Sequence, residues 1–211
     1  GFVGSVLLFV CVLIHEFGHS FEAIRRGLKV PRITLFLLGG VSEIEEESRN
    51  ASEEFWISFV GPATSLLLAL FFYLLYYSLR SLNPQISALV QYLGLVNLFI
   101  GLFNLLPAFP LDGGRALRAL LWRTTGSEVR ATAIAGRTGL AFGAAFIGFG
   151  IVIMVVTDDL IIGAWLGIVG WFILSAASTV LKHRTAEARL SGRQVRDAMR
   201  ENFPTVEPGV S

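Results

Sequence analysis

Residues 12–27 read VLIHEFGHSFEAIRRG, a stretch that places two histidines and two glutamates at the end of an apolar run. The run begins at Phe2, and a helix from Phe2 to His15 covers only about 20 Å at 1.5 Å per residue. A membrane-spanning helix must cover about 30 Å of hydrocarbon. The helix therefore has to continue through the polar stretch, which puts His15 and Glu16 inside the thickness of the membrane. Ionisable side chains are costly there and usually mark function.

The composition of the whole chain also indicates a membrane protein. Its 211 residues are 54% hydrophobic and 16% charged, with a mean hydropathy of +0.65. Soluble domains have about one quarter charged residues. The sequence therefore predicts an all-α polytopic membrane protein, a bundle of about five transmembrane helices with a small membrane-associated β-hairpin or sheet. Five apolar blocks are long enough to span: about 2–24, 55–79, 86–106, 132–156 and 160–181.

The distribution of Lys and Arg predicts the orientation of the chain, because cytoplasmic loops are enriched in these residues. They concentrate between blocks one and two, between blocks three and four, and after block five. The other two loops carry Arg80 on one side and Asp158 with Asp159 on the other. We expect the N-terminus outside, the C-terminus in the cytoplasm and HEFGH near the cytoplasmic face. The compactness of the chain suggests a multi-pass protein of a prokaryotic cell membrane.

The segment HEFGH has the pattern H-E-x-x-H. Positions i and i+4 share one face of a helix, so His15 and His19 can hold one zinc ion. Glu16 can then reach a zinc-bound water as general base. The alternative is a polar helix end that faces water, and the expected depth of the segment disfavours it.

A site with two histidines needs a third protein ligand. Cys11 lies one turn before His15, but ligands at i, i+4 and i+8 extend over about 12 Å of helix, too far for one tetrahedral ion. His183 follows the fifth block and is typical of a juxtamembrane anchor. Spacing alone leaves Glu22, one turn beyond the second histidine, as an open alternative.

Asp112 is the better candidate for the third ligand. Pro107 and Pro110 should break the third helix near the cytoplasmic face, on the same side as HEFGH. Two glycines follow Asp112 and allow the backbone to approach closely. Every other carboxylate outside HEFGH is expected in a loop, in a tail or on the opposite face. The alternative is that Asp112 only caps a helix over residues 113–123.

HEFGH together with NLLPAFPLDGGR, residues 104–115, closely resembles the site-2 protease family of intramembrane zinc metalloproteases. The resemblance spans most of the chain. It implies one Zn²⁺ bound by three residues, His15, His19 and Asp112. It also implies that Glu16 is the catalytic base and that Asn104 lies near the active site, where it holds the substrate or the oxyanion. The alternative for Asn104 is a hydrogen bond between helices.

Two further segments fit the resemblance. ITLFLLGGVSEI, residues 33–44, is too short to span and indicates a strand or hairpin. It resembles the family's membrane-associated sheet, whose edge can hold the substrate as an added strand; this implies that Gly39 and Gly40 contact substrate. The alternative is a surface hairpin. VGPATS, residues 60–65, resembles a G-P-containing segment of the family, and we interpret it as a bend without a catalytic role.

The two ends suggest a piece of a longer protein. The chain starts at Gly1 without signal-peptide features, and family members carry a further helix before HEFGH, six in the full core. We expect residues 1–190 to form the transmembrane metalloprotease core and residues 191–211 to form a linker and the start of a cytoplasmic CBS domain. The segment 195–211 resembles the opening of such a domain, and a complete CBS pair could bind an adenine nucleotide.

The expected activity is hydrolysis of peptide bonds within transmembrane segments of substrates in the lipid bilayer. Anti-sigma factors, pro-sigma factors and membrane-bound transcription regulators are candidate substrates by resemblance, and no direct contact with nucleic acid is expected. One alternative is a zinc-dependent transporter, but blocks two to five contain almost no ionisable residues beyond Asp112. The other is an inactive relative that only binds membrane helices, which the intact H-E-x-x-H pattern disfavours.

Overall fold

The fold is taken from a computed structural model that describes residues 1–30, 32–36, 39–43, 48–81 and 83–190, without the side chains of the two strands and of residues 183–190. Within these ranges the elements follow in this order: α1 (Phe2–Arg25), β1 (Arg32–Phe36), β2 (Gly39–Glu43), α2 (Ala51–Leu79), α3 (Pro84–Asn104), α4 (Asp112–Thr125), α5 (Glu128–Thr157) and α6 (Leu160–Leu190). The predicted linker and CBS segment, 191–211, lies outside the described residues.

Five of these helices, α1, α2, α3, α5 and α6, are long and apolar enough to cross a membrane. They correspond to the five predicted blocks, so the prediction of an all-α polytopic bundle is confirmed. Large apolar side chains such as Phe99 and Val155 remain 63% and 75% exposed, as a lipid-facing surface requires. The remaining helix, α4, has only 14 residues and is too short to span a membrane.

Polar capping residues start two of the spanning helices earlier than their apolar runs suggest. The Asn50 side chain accepts from the Glu53 N–H at 2.9 Å, and the Glu53 carboxylate accepts from the Arg49 N–H at 2.6 Å. The first bond satisfies an amide group that a helix start leaves without a partner, and the second ties the residue before the cap to the first turn. Ser127 likewise accepts from the Arg130 N–H at the start of α5. α2 and α5 therefore each begin four residues before the predicted positions 55 and 132.

The second helix is the common neighbour of the helices that carry the predicted ligands. α2 packs against α1, α3 and α4, while α5 packs against α4 and α6. Glycines allow the close approach of α5 and α6: a Cβ at Gly143 would lie 2.8 Å from the Gly170 carbonyl oxygen. Since α1 and α4 both lie on α2, the surface of α2 determines where their side chains meet.

The predicted hairpin is present between α1 and α2. β1 and β2 form a two-stranded antiparallel sheet in which Leu35 is opposite Gly40 and Phe36 is opposite Gly39. β2 lies next to α1. The hairpin thus adjoins the helix that contains HEFGH.

Candidate metal centre

The structure brings His15 and His19 of α1 together with Asp112, the first residue of α4. His15 Nε2 lies 3.3 Å from Asp112 Oδ2, and His19 Nε2 lies 3.2 Å from the same oxygen. The two Nε2 atoms are 3.2 Å apart. Both histidines are buried, and the Asp112 side chain is 16% exposed. Among the described residues, no other group of three or more His, Cys, Asp or Glu side chains brings its ligand atoms together in this way.

The triangle formed by these three atoms fits a zinc ion. A tetrahedron with metal–ligand bonds of about 2.1 Å has edges of about 3.4 Å, and the observed separations are 3.2–3.3 Å. Two imidazoles and one carboxylate are a donor set found in catalytic zinc sites. Three protein ligands leave the fourth position of the ion for water or substrate, so the arrangement suits catalysis better than a purely structural role.

Contacts from α2 hold both imidazole rings. His19 Nδ1 donates to the Ile57 carbonyl oxygen at 2.6 Å, and His15 Nδ1 lies 2.8 Å from Ser65 Oγ. A carbonyl can only accept, so the proton of neutral His19 lies on Nδ1 and its Nε2 carries the lone pair that a metal requires. Ser65 is fully buried and engages the corresponding atom of His15. Both rings are thereby turned with Nε2 toward Asp112.

Small residues allow α2 to approach α1 at this point. A Cβ on Gly61 would lie 2.1 Å from His19 Nε2, and a Cβ on Gly18 would lie 2.7 Å from Thr64 Oγ1. Ile57, Gly61 and Ser65 are spaced by four residues, so they share one face of α2. The interpretation of residues 60–65 as only a bend missed these contacts. Their four-residue spacing, which matches that of the two histidines, was the signal available in the sequence.

The turn before α4 places the Asp112 carboxylate. The α4 cap residue is Leu111, and no side-chain capping bond is formed, so the capping alternative for Asp112 is not observed. Burial opposes ionisation of this carboxyl, but the positive charge and the hydrogen bonds that the neighbouring imidazoles provide when they are protonated outweigh it. The pKa of Asp112 therefore lies below its usual range.

The two glycines after Asp112 fit closely against the preceding turn, as predicted. A Cβ on Gly113 would lie 2.3 Å from the Leu105 carbonyl oxygen, and one on Gly114 would lie 2.5 Å from the Ala108 carbonyl carbon. The peptide bond between Phe109 and the following proline is cis. No larger residue fits at either glycine without movement of the backbone that presents Asp112.

The remaining residues of α1 have distinct surroundings. Glu16 is buried, with 7% exposure, and directly follows the first histidine. Glu22 forms ion pairs with Arg25 at 3.0 Å and Arg26 at 2.6 Å, which engage it away from the cluster. Cys11 is buried and lies within hydrogen-bonding reach of Asn97. Neither Glu22 nor Cys11 joins the group of three ligand atoms.

The predicted substrate residues lie on other elements. Asn104 is the last residue of α3, and its Nδ2 donates to the Ile100 carbonyl at 3.1 Å, a bond within the helix and not between helices. Gly39 and Gly40 begin β2. Their roles toward substrate stay predictions. The His183 side chain lies outside the described residues.

Helices of membrane-spanning length surround a buried cluster of two histidines and one aspartate. This combination defines the class of protein, and the fold is that of a site-2-type metalloprotease. Comparison with known proteins agrees. The family model described as Peptidase family M50 matches residues 3–83 and 77–146, so the chain belongs to this family. A solved structure, "Site-2 Protease from Methanocaldococcus jannaschii", superposes with a TM-score of 0.63 at 30% identity, covering 83% of this chain and 76% of that one.

Two bacterial relatives carry the name of a zinc metalloprotease. Rip3 of Mycobacterium tuberculosis is 39% identical over 208 residues, which is 98% of this chain and 52% of Rip3. The protein sll0528 of Synechocystis is 34% identical over 218 residues, 100% of this chain and 55% of its own. The chain spans about half the length of these curated relatives. Their names imply zinc as the metal of this family.

Proposed function

We propose that this protein is an intramembrane zinc metallopeptidase that hydrolyses peptide bonds within transmembrane segments of membrane-anchored substrates. The observation that carries the proposal is the approach of His15 Nε2, His19 Nε2 and Asp112 Oδ2 to within 3.3 Å of one another. This cluster lies among helices of membrane-spanning length. Ionisable side chains at that depth usually mark function, and three protein ligands leave one position of a zinc ion open for water or substrate.

One zinc ion, bound by the two histidines and Asp112, would polarise the scissile carbonyl and bring the pKa of a bound water toward 7. Glu16 accepts the proton of the attacking water and delivers it to the leaving amine. Its burial beside His15 excludes bulk water from competing for that proton. Ser65 and the Ile57 carbonyl keep the imidazole rings in the orientation that the ligand role requires.

Substrate access has to overcome the fact that a helix hides its peptide bonds. We assign the β1–β2 hairpin the task of holding an unwound substrate segment as an added strand, with Gly39 and Gly40 at the contact. We assign Asn104 the task of holding the substrate or the oxyanion.

The pattern of Lys and Arg supports an N-terminus outside and an active site near the cytoplasmic face of a prokaryotic membrane. Membrane-anchored regulators such as anti-sigma factors are the proposed substrates. Residues 191–211 are the proposed linker and start of a CBS domain, and a pair of such domains could bind an adenine nucleotide.

Replacement of the proposed base tests this function. Wild type, Glu16→Gln and the control Glu22→Gln should be compared for cleavage of a helical membrane substrate and for zinc content. Glu16→Gln is expected to keep zinc but to lose cleavage by about 10²-fold or more, the usual size of general-base catalysis. Glu22→Gln removes a carboxylate of the same helix that pairs with arginines and should cleave normally.

Equal cleavage by wild type and Glu16→Gln contradicts the mechanism. Zinc uptake into vesicles without cleavage would favour a transporter, and substrate binding without cleavage or zinc would favour an inactive relative.

A further inference from the structure

A buried ion pair joins the helix that carries Asp112 to the helix that orients the two histidines. Arg118 of α4 donates from Nε to Glu54 Oε1 of α2 at 2.7 Å, and its Nη2 donates to the same oxygen. Arg118 Nη1 lies 3.4 Å from Glu128 Oε1 of α5. The Glu54 side chain is 0% exposed and that of Arg118 is 13% exposed. Arg118 therefore links three helices, and its pair with Glu54 lies where water competes little.

The position of this pair matters for the metal ligands. Glu54 precedes Ile57 by three residues, about 4.5 Å along α2, and the Ile57 carbonyl holds His19. Arg118 follows Asp112 by six residues, about 9 Å along α4. α4 packs mainly on α2 and α5, whereas α2 also packs on α1. The distance from Asp112 to the histidines is thus set largely through the contact between α2 and α4.

Stability alone does not account for the pair. Two buried charges lose hydration, and apolar residues of similar volume often stabilise a protein equally well or better. Glu54 Oε2 has no hydrogen-bond partner in the part of the chain that the structure describes, so the carboxylate is only partly compensated. What the pair does provide is direction, because two N–H groups of the planar guanidinium converge on Glu54 Oε1 while Nη1 lies near Glu128.

We propose that Arg118 and Glu54 are positioning residues that hold α4 on α2 in the register that keeps Asp112 within ligand distance of His15 and His19. The inference rests on the proposed zinc function. It differs from a general packing role, because an apolar pair could restore packing but not the directed hydrogen bonds between the two helices.

The test uses the full chain purified in detergent. The wild type is compared with Arg118→Met and with the double variant Glu54→Leu/Arg118→Met. The control is Arg123→Met, which removes an exposed arginine of the same helix. Thermal unfolding, zinc affinity by chelator competition, and kcat and KM for a helical substrate are measured for each. Arg118→Met leaves Glu54 buried without its partner and should be destabilised.

The double variant is expected to recover the wild-type thermal midpoint while its zinc affinity stays reduced by about tenfold, the usual effect of disturbing groups that orient metal ligands. Its kcat should fall with KM near the wild-type value. Arg123→Met should behave as wild type. Wild-type zinc affinity in the stable double variant would overturn the positioning role and leave the proposed function intact.

If the wild type itself binds no zinc, the proposed function fails and the positioning role with it. If the wild type binds zinc without cleaving, the peptidase proposal fails, and the zinc affinities still decide the role of the pair. Should the double variant not fold, Arg118→Lys decides: it keeps the charge but lacks the planar fork. We expect weaker zinc binding in Arg118→Lys at an unchanged thermal midpoint, and wild-type zinc affinity there would overturn the inference.

Discussion

Replacement of Gly61 by alanine should remove a metal ligand while the fold is retained. A Cβ at this position would lie 2.1 Å from His19 Nε2 and 2.3 Å from His19 Cε1, whereas ordinary contacts begin at 3.4 Å. The ring of His19 therefore has to move by about 1 Å or more, a displacement that costs on the order of 10²-fold in an active site. The movement also breaks the 2.6 Å hydrogen bond from His19 Nδ1 to the Ile57 carbonyl.

The size of this displacement can be compared with what zinc tolerates. Metal–ligand distances in zinc sites vary by about 0.2 Å, so a shift of about 1 Å leaves His19 outside bonding range. Folding is affected in the opposite direction, because alanine favours an α-helix over glycine by up to about 1 kcal/mol. Gly61→Ala is therefore expected to unfold at a temperature near that of the wild type but to lose zinc and at least about 10²-fold in cleavage.

The assay measures zinc per chain, cleavage of a helical membrane substrate and thermal unfolding in the same detergent. Gly148→Ala in α5 is the matched control, because a Cβ there meets nothing within 4 Å; it should match the wild type in zinc content and cleavage. Normal zinc content and cleavage in Gly61→Ala would refute the reasoning, since they would mean that α2 does not lie against His19 as described.

Three further changes test other parts of the site. Ser65→Ala removes the partner 2.8 Å from His15 Nδ1 and should weaken zinc binding about 10–100-fold in chelator competition; Ser78→Ala, at an exposed position of the same helix, should not. Gly113→Ala puts a Cβ 2.3 Å from the Leu105 carbonyl oxygen, an overpacking of about 1–3 kcal/mol that should lower the thermal midpoint by several degrees; an unchanged midpoint would contradict the tight turn. Chelation should abolish cleavage and added Zn²⁺, but not Mg²⁺, should restore it, whereas cleavage that survives complete zinc removal would exclude a metal mechanism.

The features that follow local rules were predictable from the sequence. The five spans follow from the thickness of a bilayer, and the shared face of His15 and His19 follows from helical periodicity. Asp112 could be predicted as the third metal ligand because the prolines and glycines around it have strong backbone preferences. The boundaries of α2 and α5 were less accurate, because polar capping residues such as Asn50 extended them past the apolar runs.

Features that depend on which surface of one helix contacts which surface of another were not predictable in the same way. α2 is apolar along most of its length, so hydropathy does not mark the face that meets α1, and only the four-residue spacing of Ile57, Gly61 and Ser65 indicates it. The hydrogen-bond partner of His19 is the backbone carbonyl of Ile57. Every residue has such a carbonyl, so the residue type does not identify this partner. Glu54 was also expected in a loop or on the opposite face with the other carboxylates. It is instead buried in α2, where Arg118 of α4 binds it. The sequence had placed Arg118 in the loop between the third and fourth predicted blocks.

The three ligands of the candidate centre therefore differ in what their positions require. The two histidines share one face because residues 15–19 are helical, which a spanning helix already ensures, and contacts from α2 then hold their rings. Asp112 needs the turn that ends α3, two glycines that accept that turn, and the contact of Arg118 with Glu54. Each of these conditions depends on tertiary packing, and each can be disturbed without unfolding a span. Substitutions that reduce zinc binding in a folded chain should consequently cluster around α4 and on the surface of α2 that meets α4 and the two histidines, more than in α1 outside HEFGH.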